Sequence, residues 1–449
     1  MDYIHTKYRT IVSEIPHPDS LSILKNLFEK ESRSTHGQPP VIWDRAQGFQ
    51  VFDPYGNVFL DFSAGVLVAN CGHSHPRVLE AIRTEVNRGL VFSYCFPNSA
   101  REKLLSKLDE VTPESLRRYY LLSTGAEATE TSLKLARTWG SRTGIKNKKV
   151  IISFEASFHG RTLGAQQMGG FPEAKEWIGD LDEGFIQVPF PDDIYNKNLS
   201  FDVFSETIRS KGILPENVAG VMVETYQGGI VSFAPVDYMK QLREWCDGND
   251  ALLMFDEVQA GFGRNGKWWG FEHYGVTPDL IACGKGISGG LPLSAVIGRD
   301  EIMQQYGHGM MTTTHGGNPL SCAASAASIG VIQDENLVEN SKLVGAVLLN
   351  ELQNLNAIIP DRIRAIAGKG LVAGIHIKKM DSDDPDGDFA NAVVWECVNQ
   401  GLLMFAPVGP GGATIKISPP LTITEDAVIE GVGVIIEAVK KIVSKESSN

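Results

Sequence analysis

Asp279-Leu280-Ile281-Ala282-Cys283-Gly284-Lys285-Gly286-Ile287-Ser288-Gly289-Gly290-Leu291-Pro292-Leu293 sets a short apolar run against a glycine-punctuated loop. Leu280 to Cys283 read as a buried strand. Gly284, Gly286, Gly289 and Gly290 crowd the loop and let the backbone approach another group closely. A lysine held between glycines at a strand end is poorly placed as a surface charge. It is well placed as a nucleophile toward a tightly bound group.

Working outward, residues 118–300 alternate strand and helix patterns. This is the signature of an α/β sheet that is largely parallel. The predicted strands are 149–154, 218–224, 251–255, 280–283 and 294–297. Continuous apolar runs such as Ala251-Leu252-Leu253-Met254-Phe255 suit strands covered by helices on both faces. In such sheets ligands gather at the carboxyl ends of the strands.

On the N-terminal side, Leu21, Leu24, Leu27 and Phe28 predict a helix over 20–30. Apolar strands at 41–43, 49–52 and 58–60 surround the turn Asp53-Pro54-Tyr55-Gly56-Asn57 and predict a β-meander. A helix follows from Pro76 to about Gly89. Beyond Cys322 come a small-residue helix, a helix over 340–352 and a second mixed unit. That unit holds 370–377, the acidic loop 381–388, a helix over 389–399, a strand at 414–418 and a C-terminal helix from Glu425. The expected division is 1–65, 66–325 and 326–449. Its first and last parts join in one smaller α+β domain.

The chain has 449 residues, 43% hydrophobic and 21% charged, with a formal net charge of −13. That is an ordinary globular composition, too long for one core. The acidic balance argues against nucleic-acid or anionic-membrane partners, which need a basic face. No apolar run reaches the about 20 residues of a membrane helix, and the start lacks a secretory signal. Six cysteines without metal-type spacing predict buried thiols in a cytoplasmic protein, and no metal site.

Three further stretches carry chemistry. Ser123-Thr124-Gly125-Ala126-Glu127 turns from a strand into a helix, where free amides make an anion seat. Phe158-His159-Gly160-Arg161 brings an aromatic ring and a cation to the same sheet edge. Asp256, directly after a buried strand, needs a cationic or protonated partner. Val258 and Gln259 add an apolar contact and a hydrogen-bonding amide on the same loop.

An anion seat, a stacking ring, a buried carboxylate and a lysine match the needs of pyridoxal 5'-phosphate. In order and spacing, the chain resembles the class III (ω-type) aminotransferases of fold type I. The resemblance runs from Gly72-His73-Ser74-His75-Pro76 to Ser418-Pro419-Pro420-Leu421 and includes Asp256-Glu257-Val258-Gln259 and Thr314-His315-Gly316-Gly317-Asn318-Pro319. It implies a large domain with a mostly parallel, helix-covered sheet and a smaller α+β domain. Gly125 and Ala126 would hold the phosphate, with Thr314 reaching it from the neighbouring subunit of a homodimer or larger assembly. Phe158 and Val258 would flank the ring, Asp256 would face its nitrogen and Gln259 its phenolic oxygen. Lys285 would form the Schiff base and carry the proton.

The resemblance also locates departures. Relatives that use 2-oxo acids carry an arginine where this chain has Lys416, and a lysine cannot supply the bidentate fork. Ala367 likewise stands where many relatives have an arginine. Glu224 matches a glutamate that in relatives covers the charge of the arginine replaced here by Lys416, and pairing with Lys416 is the expectation. Arg161 matches an arginine that grips the far end of acidic substrates. The implied reaction transfers an amino group from a small primary amine with an anionic tail to a 2-oxo acid. The alternative is a lyase of the same family, acting on a hydroxylated aminoethylphosphonate or a phosphoethanolamine-like amine. A catalytically silent relative would have no need of Lys285 and Asp256. Val66, Tyr94, Tyr226 and His315 are the expected pocket-lining residues.

Overall fold

The structure, a computed structural model, describes residues 3–145 and 147–446. By packing it forms two units, one from residues up to 75 together with those from 339 onward, the other from 76–338.

The second unit is built on seven strands: β1 (Arg118–Leu122), β2 (Val150–Phe154), β3 (Phe185–Val188), β4 (Val218–Glu224), β5 (Leu252–Asp256), β6 (Leu280–Cys283) and β7 (Ser294–Gly298). Their order is β1-β7-β6-β5-β4-β2-β3. Neighbours are parallel except that β7 runs antiparallel to both β6 and β1. Every residue of β2, β4, β5, β6 and β7 is buried, as expected of strands covered on both faces.

One face is covered by helix α1 (Gly125–Arg142), whose Ala128, Leu133 and Ala136 share a core with Met222, Met254, Leu280 and Val296. An aromatic cluster of Phe154, Phe204, Tyr238 and Trp245 also packs against strand residues. Helix α2 (Pro319–Asp334) packs on the helices Pro76–Asn87 and Ser99–Asp109.

The first unit draws on both chain ends. Leu402–Leu403 pairs in parallel with Val58–Asp61, which continues through Gln50–Phe52 to Arg45–Gln47. The meander therefore differs from the expected one. Residues 41–43 are not a strand, and the hairpin partner of Gln50–Phe52 is Arg45–Gln47, with Gln47 opposite Gln50. Pro39 and Pro40 precede the apolar triplet and lack ladder donors. Gly48, at φ 58°, supplies the tight turn instead. A second sheet joins Ile363–Gly368, Ala373–Ile377 and Thr414–Ile417 in antiparallel order. Five cysteines are buried, but Cys95 is exposed, against expectation. Among the described residues no helix is long and apolar enough to cross a membrane.

Candidate active site

The carboxyl ends of β1, β2, β4, β5 and β6 converge on one cavity of about 220 Å³. It is lined by Gly125, Ala126, Phe158, Arg161, Glu224, Asp256, Val258, Gln259 and Lys285, with His159 and Gly160 added. Residues spread over 160 positions are gathered because parallel strands end at one edge.

The start of α1 is shaped by a capping box. Thr124 Oγ1 accepts from the amide of Glu127 at 3.2 Å, and Glu127 Oε2 accepts from the amides of Ser123 and Thr124. The amide of Ala128 is bonded to Thr124 O. Gly125 and Ala126 are the first two residues of α1, so their amides have no acceptor within the helix and can serve an anion. A Cβ on Gly125 would lie 2.8 Å from Val258 Cγ1, so only glycine lets Val258 press this close. Gly160, at φ 133°, lies against Ala126 in the same way.

Two acidic groups are organised around the loop after β2. Asp256, the last residue of β5, accepts from Val258 N on Oδ1 at 3.0 Å. Its Oδ2 lies 2.9 Å from His159 Nδ1, and both residues are buried. Glu224, the last residue of β4, takes the amide of Phe158 on Oε2 and that of Gly228 on Oε1, each at 2.9 Å. Burial pushes the Glu224 carboxyl up to about 7, opposed by His159 and reinforced by Asp256. Glu257 points away from the cavity and accepts the amides of Gly270 and Phe271. Burial raises it to about 8.

Lys285 follows β6 with φ 45°, a left-handed conformation that is strained for a long side chain. Burial lowers its amine below the ordinary range, while Asp256 and Glu224 oppose that shift. Arg161 is exposed, with its guanidinium carbon 5.5 Å from the centroid of the Phe158 ring. Among the described residues it has no carboxylate partner.

Other expected residues lie elsewhere. Tyr226 is 1% exposed, packs on Phe233 and is not among the residues lining this cavity. Tyr94, Thr314 and His315 are exposed and absent from the lining of this cavity. Val66 and Lys416 belong to the first unit, Lys416 being buried in Thr414–Ile417 opposite Gly374. His159 escaped the sequence reading because its partner Asp256 is 97 positions away.

The donor set suits pyridoxal phosphate: two helix-start amides for a phosphate, a buried carboxylate for a ring nitrogen, and an amine that burial shifts toward its neutral form. The Aminotransferase class-III pattern matches residues 32–439. The acetylornithine aminotransferase of Agrobacterium fabrum is 34% identical over 92% of this chain and 97% of its own. The 4-aminobutyrate aminotransferase of Mycobacterium leprae is 31% identical over 95% and 97%. A transaminase from Virgibacillus superposes with a TM-score of 0.86 at 27% identity, over 94% of this chain and 99% of its own. The ornithine aminotransferase of Toxoplasma gondii gives 0.83 at 28%, over 94% and 95%. The chain belongs to the class III aminotransferase family, fold type I, whose cofactor is pyridoxal 5'-phosphate.

Proposed function

We propose that this enzyme transfers the amino group of a small primary amine with an anionic tail to a 2-oxo acid. The observation that carries this reading is a cavity holding Lys285, Asp256 and the two orphan amides, with the uncompensated cation Arg161 on its lining. Acetylornithine, 4-aminobutyrate and ornithine, which name the relatives, each join an amine to a carboxylate.

The amides of Gly125 and Ala126 would seat the phosphate, with the hydroxyl of Thr314 of the partner subunit completing the seat. Phe158 and Val258 would flank the ring, Asp256 would face its nitrogen and Gln259 its phenolic oxygen. The bound cofactor supplies an electron sink for the carbon that carries the amine. Lys285 Nζ would anchor the cofactor and would carry the proton released at that carbon. Arg161 would hold the anionic tail, with Glu224 and Tyr94 shaping the rest. The shared phosphate seat requires a homodimer or larger assembly, which sedimentation tests directly.

Lys416, standing where the family pattern has arginine, favours one second reading: a lyase needing no oxo acid. The deciding experiment mixes holoenzyme with acid-tailed amines and no oxo acid. A transferase releases one carbonyl product per site and stops until an oxo acid is added. Continuous release of ammonia or phosphate would replace the transferase reading by the lyase.

A further inference from the structure

Two segments of the second unit meet at one cation outside the cavity. The first, residues 91–96, shows Val91 at 53% and Phe96 at 73% exposure. The second, residues 314–318, carries exposed Thr314 and His315. Asn318 Nδ2 donates to Val91 O at 2.9 Å, and the rings of Phe92 and His315 lie 5.5 Å apart.

Arg101 spans the pair. Its Nη2 donates to Tyr94 O at 2.7 Å and to Gly317 O at 3.4 Å, and Nη1 to Cys95 O at 3.5 Å. Gly317 has φ 68°, and a Cβ there would lie 2.8 Å from Arg101 Nε. No carboxylate pairs with Arg101 among the described residues, and its buried Nε has no partner there. It is also the third residue of the helix Ser99–Asp109, where the helix dipole favours an acidic side chain. A cation set against the dipole and spent on carbonyls does nothing for its own helix. What its planar fork supplies is a fixed relation between two segments.

We infer that Arg101 is a positioning residue acting in trans: it holds Tyr94 and Thr314 in the shape received by the cofactor site of a second copy of this chain. This rests on the reading that Thr314 serves a phosphate across the subunit interface. Thr314 is exposed and lies outside the lining of its own chain's cavity, so it needs a bracket that the active site does not provide. Arg101 is that bracket.

The test uses mixed dimers of the full chain. Arg101→Ala homodimers, with helicity like that of the parent, are expected to bind pyridoxal phosphate about ten-fold more weakly in titrations of apoprotein. Differently tagged Arg101→Ala and Lys285→Ala chains are then co-expressed and the heterodimer is isolated. In it, the intact Lys285 sits in the Arg101→Ala chain, but its Thr314 segment comes from the partner with Arg101 intact. Borohydride labelling of that Lys285 is expected to half-saturate at the wild-type cofactor concentration. Labelling at the weakened concentration overturns the inference, because the defect then acts within one chain. Undiminished affinity in the Arg101→Ala homodimer overturns it too. Thr314→Ala without loss of affinity overturns the underlying reading by its own signal. If Arg101→Ala fails to fold, Arg101→Lys, which keeps the charge but not the fork, goes through the same two assays.

Discussion

His159 Nδ1 lies 2.9 Å from Asp256 Oδ2, and neither side chain is more than 5% exposed. A carboxylate only accepts, so the imidazole donates and fixes the plane of Asp256 toward the cavity. The remaining ring nitrogen, Nε2, is buried without a partner among the described residues. Thr129 Oγ1 donates to His159 O at 2.6 Å and ties this loop to α1. His159→Phe is expected to cost the apoprotein about 1–3 kcal/mol, because a buried acceptor loses its donor. His159→Asn keeps a donor near Nδ1 and should recover most of that loss. Denaturant titration of both variants checks it; equal stability of His159→Phe and wild type would show that the contact does not support Asp256.

Lys285 gives a pH-dependent prediction. Burial lowers its amine below 10.5, so the neutral nucleophile is present at lower pH than for a free lysine. Asp256 and Glu224 pull the other way, since their negative charges favour the ammonium. Asp256→Asn and Glu224→Gln are therefore each expected to lower the midpoint further. The rate of acylation of Lys285 in apoprotein, followed by mass spectrometry against pH, reads this directly. A wild-type midpoint at or above 10.5, or a rise in either variant, contradicts the assignment.

Much of this arrangement was legible in the residues. The ends of β4 and β6 match the apolar runs residue for residue, because strands buried on both faces carry no polar interruption. The edge strand β3 was missed: only Val188 of Phe-Ile-Gln-Val is buried, so neither alternation nor a continuous run marks it. Val41-Ile42-Trp43 has strand composition, while the partially exposed Arg45–Gln47 makes the pairs. At the site, glycines and acidic residues beside strand ends carried the signal. The left-handed φ of Lys285 and the His159–Asp256 pair did not, since both arise from tertiary packing.

Glu257 and Glu224 predict how stability varies with pH. Burial raises them to about 8 and about 7 from an ordinary 4.5. Between pH 4.5 and 8 the folded chain therefore retains protons that the unfolded chain has released. Their contribution to stability is fully present below pH 4.5 and is lost as pH rises through 7 to 8. Unfolding midpoints of apoprotein across this range should fall, and Glu257→Gln should flatten part of the slope. A slope unchanged in that variant assigns the decline to other groups.

Replacing Arg161 is expected to separate substrate recognition from chemistry. It is exposed, lies over the edge of the cavity beside Phe158, and has no carboxylate partner among the described residues. Its loop is pinned from α1, where Glu130 Oε1 accepts from Thr162 Oγ1 and from the amides of Gly164 and Ala165. The guanidinium is thus carried on a fixed base while its charge remains available. A charge-assisted hydrogen bond to an anionic tail is worth about 1.5–3 kcal/mol, so Arg161→Ala should raise KM for acid-tailed amines by about 10- to 150-fold. Neutral-tailed amines of the same length should be unaffected, as should cofactor binding. Such a split, strong for acids and absent for neutral amines, identifies the tail grip. A uniform loss across both series would instead mean that Arg161 holds Phe158 and acts through the ring-stacking residue.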